Sequence, residues 1–249
     1  MAKLDPRHYL KYSKIQMGVA AELISQIHWK GNARLLDVGS GDGKITALLN
    51  ELAGEAVGVD QCEDMVEFAA ELFPHICFER HDAEEMTFNK PFDLLTCLSA
   101  LHWVRQPGKA LEKMAIALKP GGKAYILTYP TESVYWRPMQ KAAQDPLFAP
   151  YQASLPVVHS ARSYVEMAEQ AGFTVLSSTV QEHFATHDNL ENAKAYIMGW
   201  LANFITLPDA TLSSRFIDLA ASYQAAQAVD KGDGKLHLPY ATLVMVLQK

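Results

Sequence analysis

The 249-residue chain carries 22 lysines and arginines against 28 aspartates and glutamates, a formal charge of −6, with 49% apolar and 20% charged residues. That composition excludes a disordered chain and suits one α/β domain with a sizeable core. The acidic balance and the lack of a basic run argue against a nucleic-acid or anionic-membrane surface.

Residues 7–29 are expected to be helical, with Val19, Leu23, Ile24 and Ile27 forming an apolar stripe. Tyr9, Tyr12, Ile15 and Gln16 also fall at helical spacings, and Tyr12 and Gln16 are candidates to line a pocket one turn apart. Gly31-Asn32 ends this helix. Next comes Leu35-Leu36-Asp37-Val38-Gly39-Ser40-Gly41-Asp42-Gly43, then a helical pattern from Lys44 to Leu52. It reads as a buried strand ending in a tight turn against a ligand, with the helix aiming its N-terminal amides there. A dinucleotide G-x-G-x-x-G fingerprint would need glycine at 44, where Lys44 stands. Asp37, predicted to face the ligand, would repel a pyrophosphate and suit a ligand bearing an ammonium and a sulfonium.

A second strand, Ala56–Asp60, ends in an acidic residue 23 positions beyond Asp37, placed to accept both ribose hydroxyls of a nucleoside. Asp60-Gln61-Cys62-Glu63 also has the form of a helix capping box. Met65, one turn on, is a candidate to pack on an adenine face or to fill core. A short third strand, Ile76–Glu79, leads to Asp82 and Ala83. The apolar run Phe92–Leu98 is a buried fourth strand opening into Ser99-Ala100-Leu101-His102-Trp103-Val104, where open α/β sheets put their chemistry. A helix over 108–118, stopped by Lys119-Pro120-Gly121-Gly122, and a strand over 123–129 complete a βαβαβαβαβ order, hence a doubly wound parallel sheet.

The glycine turn, Asp60, Asp82, Leu101-His102-Trp103-Val104 and Leu118-Lys119-Pro120-Gly121-Gly122, in this order and spacing, resemble the class I S-adenosylmethionine-dependent methyltransferases. The resemblance implies a Rossmann-like α/β fold with seven mostly parallel strands, the last antiparallel between the fifth and sixth. It implies S-adenosylmethionine as cofactor, held by Tyr12, Asp37, Gly39, Gly41, Gly43, Asp60, Gln61, Met65, Asp82, Ala83 and Ser99, with Asp82 and the next amide on adenine. Ala100–Val104 and the N-terminal Tyr-x-x-x-Gln are most similar to the juvenile hormone acid and trans-aconitate types, carboxylic-acid methyltransferases. In the former, Gln and Trp at positions matching Gln16 and Trp103 are implicated in placing acid and methyl donor.

Beyond Pro130, an aromatic, proline-broken insert (131–156) holds Tyr135, Trp136 and Arg137. A helix over 160–171, capped by Ser160 and stopped by Gly172, a strand over 173–184, helices over 190–204 and 211–228, an exposed turn at 230–235 and a strand over 240–247 complete the pattern. Segments 131–160 and 188–230 would form a lid within a single domain. Tyr135, Trp136, Arg137, Trp200 and Phe204 are the substrate-binding candidates; Gln16, His102 and Trp103 are the catalytic ones.

A sulfonium is already activated, so orientation and water exclusion supply most of the catalysis. A carboxylate acceptor needs no base, whereas a hydroxyl, amine or carbon acid would call on His102. The expected function is O-methylation of a small acid; the alternatives are another small-metabolite acceptor or a non-catalytic S-adenosylmethionine-binding module. No metal site is expected, since His183-x-x-x-His187 falls on a strand and loop rather than a helix. Cys62, Cys77 and Cys97 read as free thiols of a reducing compartment. With no run near the ~18 apolar residues that span a bilayer, and no leader in Met1–Pro6, a cytoplasmic monomer or homodimer is expected.

Overall fold

A computed structural model describes residues 6, 7, 9, 14–29 and 31–249, with the side chains of 14 and 15 left out. Seven strands form one sheet: β1 (Ala33–Val38), β2 (Gly54–Asp60), β3 (Cys77–Arg80), β4 (Phe92–Leu98), β5 (Leu118–Thr128), β6 (Thr174–His187) and β7 (Leu236–Gln248). Their spatial order is β3-β2-β1-β4-β5-β7-β6. β1 to β5 run parallel, and β7 is antiparallel to β5 on one side and β6 on the other. The expected sheet, with its antiparallel last strand between the fifth and sixth, is what forms.

The helices are α1 (Lys14–Ser25), α2 (Lys44–Ala53), α3 (Glu63–Leu72), α4 (Pro107–Ala117), α5 (Trp136–Ala143), α6 (Ala161–Gln170), α7 (Leu190–Phe204) and α8 (Ala210–Ala225). Strand alternation sorts them into two layers. Leu35, Tyr125, Leu127 and Tyr129 share one core with residues of α1, α2, α5, α7 and α8. Leu36, Val38, Ala124 and Ile126 share the other with residues of α4 and α6. Side-chain oxygens cap three of the helices: the Ser160 hydroxyl, the Asn189 amide oxygen and the Asp209 carboxylate accept from the amides of Ser163, Asn192 and Leu212.

Three boundaries differ from expectation. Lys119–Gly122 lies inside β5 as an irregularity, where Phe92 pairs with Leu118 but Leu94 with Lys123. β6 and β7 extend to His187 and back to Leu236, and their distal halves pair with each other through Phe184 and Pro239 to His187 and Leu236. His187 is therefore a strand residue, hidden from pattern reading because polar side chains alternate there. Asp60–Glu63 forms no capping box: Cys62 is the N-cap of α3 and makes no side-chain cap bond.

Leu243, fully buried, lies in β7 opposite Thr128 and Val180, where the two antiparallel pairings meet. Leu243→Ala should cost about 2–5 kcal/mol of stability, measured by urea unfolding.

Candidate functional site

The strand order reverses between β1 and β4, and their carboxyl ends form the crevice where open α/β sheets bind ligands. The glycine turn leaves β1 with Gly39, Gly41 and Gly43 all at positive φ, between 52° and 79°. Gly39 has no room for a side chain, because an added Cβ would meet Ala100 Cβ at 2.2 Å. The turn is thereby pressed against the loop leaving β4. Gly41 is different: near an added Cβ only Tyr9 Cε1 lies within 4 Å, at 3.9 Å. The backbone at Gly41 is a cradle covered by one aromatic ring. The amides of Gly39 and Ser40 both donate to Val59 O, which fastens the turn to the end of β2.

Asp37, expected to face the ligand, turns its carboxylate into the protein interior. It is 2% exposed, and its two carboxylate oxygens accept from Thr46 Oγ1 and Thr96 Oγ1, each at 2.7 Å. Thr96 is its register partner on β4, and Thr46 lies in the first turn of α2. Burial drives the Asp37 carboxyl up to about 6; the threonine hydroxyls oppose this and Asp60 adds to it. Asp60 stands at the mouth instead, with Oδ2 accepting from Gly41 N at 3.0 Å and Oδ1 from Cys62 N at 2.9 Å. Burial raises its pKa, against the pull of those amides. Asp42, unassigned from sequence, is also buried: Oδ1 accepts from Lys44 N, and Oδ2 has no hydrogen-bond partner among the described residues. Burial raises its pKa too. A turn ringed by Asp37, Asp42 and Asp60 is electronegative and suits a cationic ligand, not a pyrophosphate.

The remaining cofactor candidates separate. Asp82 is exposed and accepts from Glu84 N, with Ala83 half-buried beside it. Gln61 is exposed, its carbonyl taking Arg80 Nε. Met65 is 2% exposed and belongs to the interior, because its position in α3 turns it onto the sheet. Ser99 is the sole non-glycine residue at positive φ among the described residues, at 62°. Tyr12 lies outside the described residues. Tyr9, which the sequence pattern marks only by helical spacing, is brought near Asp42, Asp60 and Tyr129, and burial is the main force raising its phenol pKa.

Above β4 and β5 lies an aromatic chamber. His102 and Trp103, on a 3₁₀ turn (Leu101–Trp103), contact Tyr129 and the lid-side rings: His102 to Tyr129 at 4.8 Å, Trp103 to Trp136 at 5.6 Å and to Trp200 at 6.0 Å. Tyr135 joins Tyr129, Tyr196 and Trp200. Phe204 stacks on Trp136 and contacts Phe216, so it serves the helical core. Trp136 is buried too, and its indole N–H donates to Tyr129 O. Arg137 is exposed and does not join the chamber, because it projects from the outer side of amphipathic α5. Gln16 does, donating to Tyr196 Oη at 3.1 Å.

Burial pushes His102 down to about 3, and its Nδ1 lies 3.3 Å from Thr128 Oγ1. Among the described residues, five buried polar atoms in this chamber make no full-geometry hydrogen bond: Gln16 Oε1, Ser99 Oγ, Tyr129 Oη, Tyr135 Oη and Trp200 Nε1. Buried polar atoms are normally satisfied, so five together mark a place for a polar ligand. His183 and His187 lie on β6: His183 bonds Thr242 and stacks on Tyr240, and His187 packs against Tyr196. A separate surface depression of about 380 Å³, lined by Asp145, Phe148, Arg215 and Asp218, includes none of the glycine-turn residues.

Comparison with known proteins decides the family. A family model described as a methyltransferase domain matches residues 12–178, more than half of the chain. The chain belongs to this methyltransferase family. The methyltransferase is 28% identical to a trans-aconitate 2-methyltransferase of Methylobacterium nodulans, over 100% of this chain and 99% of that one. Its fold matches the YcgJ protein of Bacillus subtilis (TM-score 0.66, 16% identity, 94% and 98% of the two chains). It also matches an S-adenosylmethionine-dependent methyltransferase of Mesorhizobium loti (TM-score 0.55, 16% identity, 94% and 100%). S-adenosylmethionine is the cofactor, and the electronegative turn with its open cradle at Gly41 fits its cationic groups.

The raised Asp37 pKa has a thermodynamic consequence. The native state holds this proton up to about pH 6 and the unfolded chain only to about 3.8, so the group's contribution to stability falls as pH rises through that window. Asp37→Asn should therefore gain on the wild type by up to roughly 3 kcal/mol between pH 4 and pH 7, read by urea unfolding at both.

Proposed function

We propose that this methyltransferase transfers a methyl group to a carboxylate oxygen of a small acid with an apolar body. The observation that carries this reading is a set of unpaired donors in a chamber without a working base. Tyr129 Oη, Tyr135 Oη, Ser99 Oγ and Trp200 Nε1 can donate to an anion, while burial keeps His102 neutral and weakly basic. A carboxylate is already ionised and needs no proton removed. The full-length relationship to a protein named for trans-aconitate methylation supports the same acceptor chemistry.

Bound S-adenosylmethionine supplies a methyl group on a positively charged sulfur. Asp60 would hold its ribose hydroxyls, Asp82 and the Ala83 amide its adenine, and the glycine turn its amino-acid end. Asp37 acts at one remove, by locking the turn through Thr46 and Thr96. Trp103, Tyr135, Trp136 and Trp200 wall the chamber and keep water out, which strengthens each bond made inside it. Gln16, tied to Tyr196, holds α1 against α7, and segments 131–160 and 188–230 act as the lid.

Calorimetry should detect S-adenosylmethionine binding, weakened about 10- to 100-fold in Asp60→Ala by loss of its charged hydrogen bonds. With labelled donor, aliphatic and aromatic acids should be methylated in preference to alcohols and amines. Transfer confined to hydroxyl or amine acceptors would overturn the acid reading. Because His102 titrates near 3, the rate on an acid should stay flat from about pH 6 to 8; an inflection near 6.5 that disappears in His102→Asn would restore a base.

A further inference from the structure

We infer that Ser99 Oγ and Tyr129 Oη form the subsite that receives the acceptor oxygen, and that both are kept unpaired in the protein alone for that purpose. The inference rests on the acid reading for the chemical class of the acceptor, and it concerns residues that the sequence pattern assigns to the cofactor (Ser99) or to no role (Tyr129).

Ser99 leaves β4 at φ 62°, a conformation glycine adopts freely and serine does not. It is held there by its own amide, which donates to Leu127 O at 2.8 Å, and by the neighbouring Ala100, pressed on Gly39. The corner therefore stands between the glycine turn and the end of β5. Tyr129 lies two residues beyond Leu127. Its ring is clamped by His102 at 4.8 Å, Tyr240 at 6.0 Å and Tyr135 at 6.4 Å, and its carbonyl by the Trp136 indole. It is 7% exposed, yet among the described residues its hydroxyl makes no full-geometry hydrogen bond, and neither does Ser99 Oγ. The two hydroxyls are neighbours, close enough for Ser99 to draw the Tyr129 phenol down against the effect of burial.

Two buried hydroxyls without partners and one strained backbone all lower stability. Selection for stability alone would place glycine at 99 and phenylalanine at 129. Rigid donors aimed into a dry chamber are instead what an oxygen anion needs. Among the described residues no lysine or arginine is buried. The charges acting on Tyr135, Tyr196 and Tyr240 come from other tyrosines, Tyr9 among them, and from Glu22. Neutral donors therefore carry the recognition, which favours a single carboxylate over a polyacid.

The test pairs stability with turnover in Ser99→Gly, Ser99→Ala and Tyr129→Phe. Thermal unfolding, calorimetry with S-adenosylhomocysteine, and labelled methyl transfer to the wild type's best acceptor from a panel of acids, phenols and amines are measured for each. Tyr129→Phe and Ser99→Gly should melt at or above the wild type, with Ser99→Ala below Ser99→Gly because it keeps the strain. S-adenosylhomocysteine should bind all three as it binds the wild type, while transfer drops about 100-fold. Variants that melt several degrees lower, or that keep transfer near the wild-type rate, overturn the subsite. The acid reading fails separately, when the wild type's best acceptor is a phenol or amine. A polyacid methylated as fast as a monoacid overturns the preference for a single carboxylate.

Discussion

The site depends on one buried carboxylate. Asp37 ties three elements at the point where the sheet changes direction: its own strand β1, Thr96 on β4 and Thr46 on α2. A charge that is 2% exposed is costly, and the two hydroxyl bonds only partly offset the cost, as the raised pKa records. What this burial secures is position. With β1, β4 and α2 locked together, the turn from 39 to 43 can be threaded between Ala100 and Val59 O, and Gly41 can stay open to a ligand.

The carboxylates at this end of the sheet act together. Asp37, Asp42 and Asp60 are each raised by burial, and Asp60 raises Asp37 further. Such mutual repulsion is a liability in the free protein, and a cationic ligand relieves it. The same negative field excludes pyrophosphate, so the choice between cofactor classes rests on electrostatics as much as on glycine spacing.

Beyond the ends of β4 and β5 the chain gathers aromatic rings. Trp103, Tyr129, Tyr135, Trp136, Tyr196 and Trp200 make a continuous set of edge and tilted contacts between β4, β5, α5 and α7. Rings fix one another with little entropy to lose, and their few polar atoms are left unpaired at chosen points. Rigidity and unsatisfied hydrogen bonding thus occur in the same side chains, the arrangement expected where stability has been traded for recognition.

Much of this was legible in the residues alone. The strand–turn–helix at 35–52, the acid ending β2 and the alternation of strands and helices follow from local patterns: apolar runs, glycines at alternate positions and caps; the antiparallel last strand came only with the family resemblance. The cofactor followed because it is held by backbone and by residues at strand ends, which sequence order places. The side-chain environments were decided only in three dimensions. Asp37 turned inward because its register partner on β4 is a threonine; Met65 and Phe204 turned into cores, and Arg137 outward, according to which face of a helix each occupies. Tyr9 and Tyr129 entered the site because distant segments converge over the turn, and Asp42, within the turn, because its side chain is buried there. Local spacing determines which element a residue joins, and so the sequence by itself determined the fold and the cofactor. Which polar atoms are left without a partner depends on what every other segment brings within hydrogen-bond distance, and that only the tertiary structure decided.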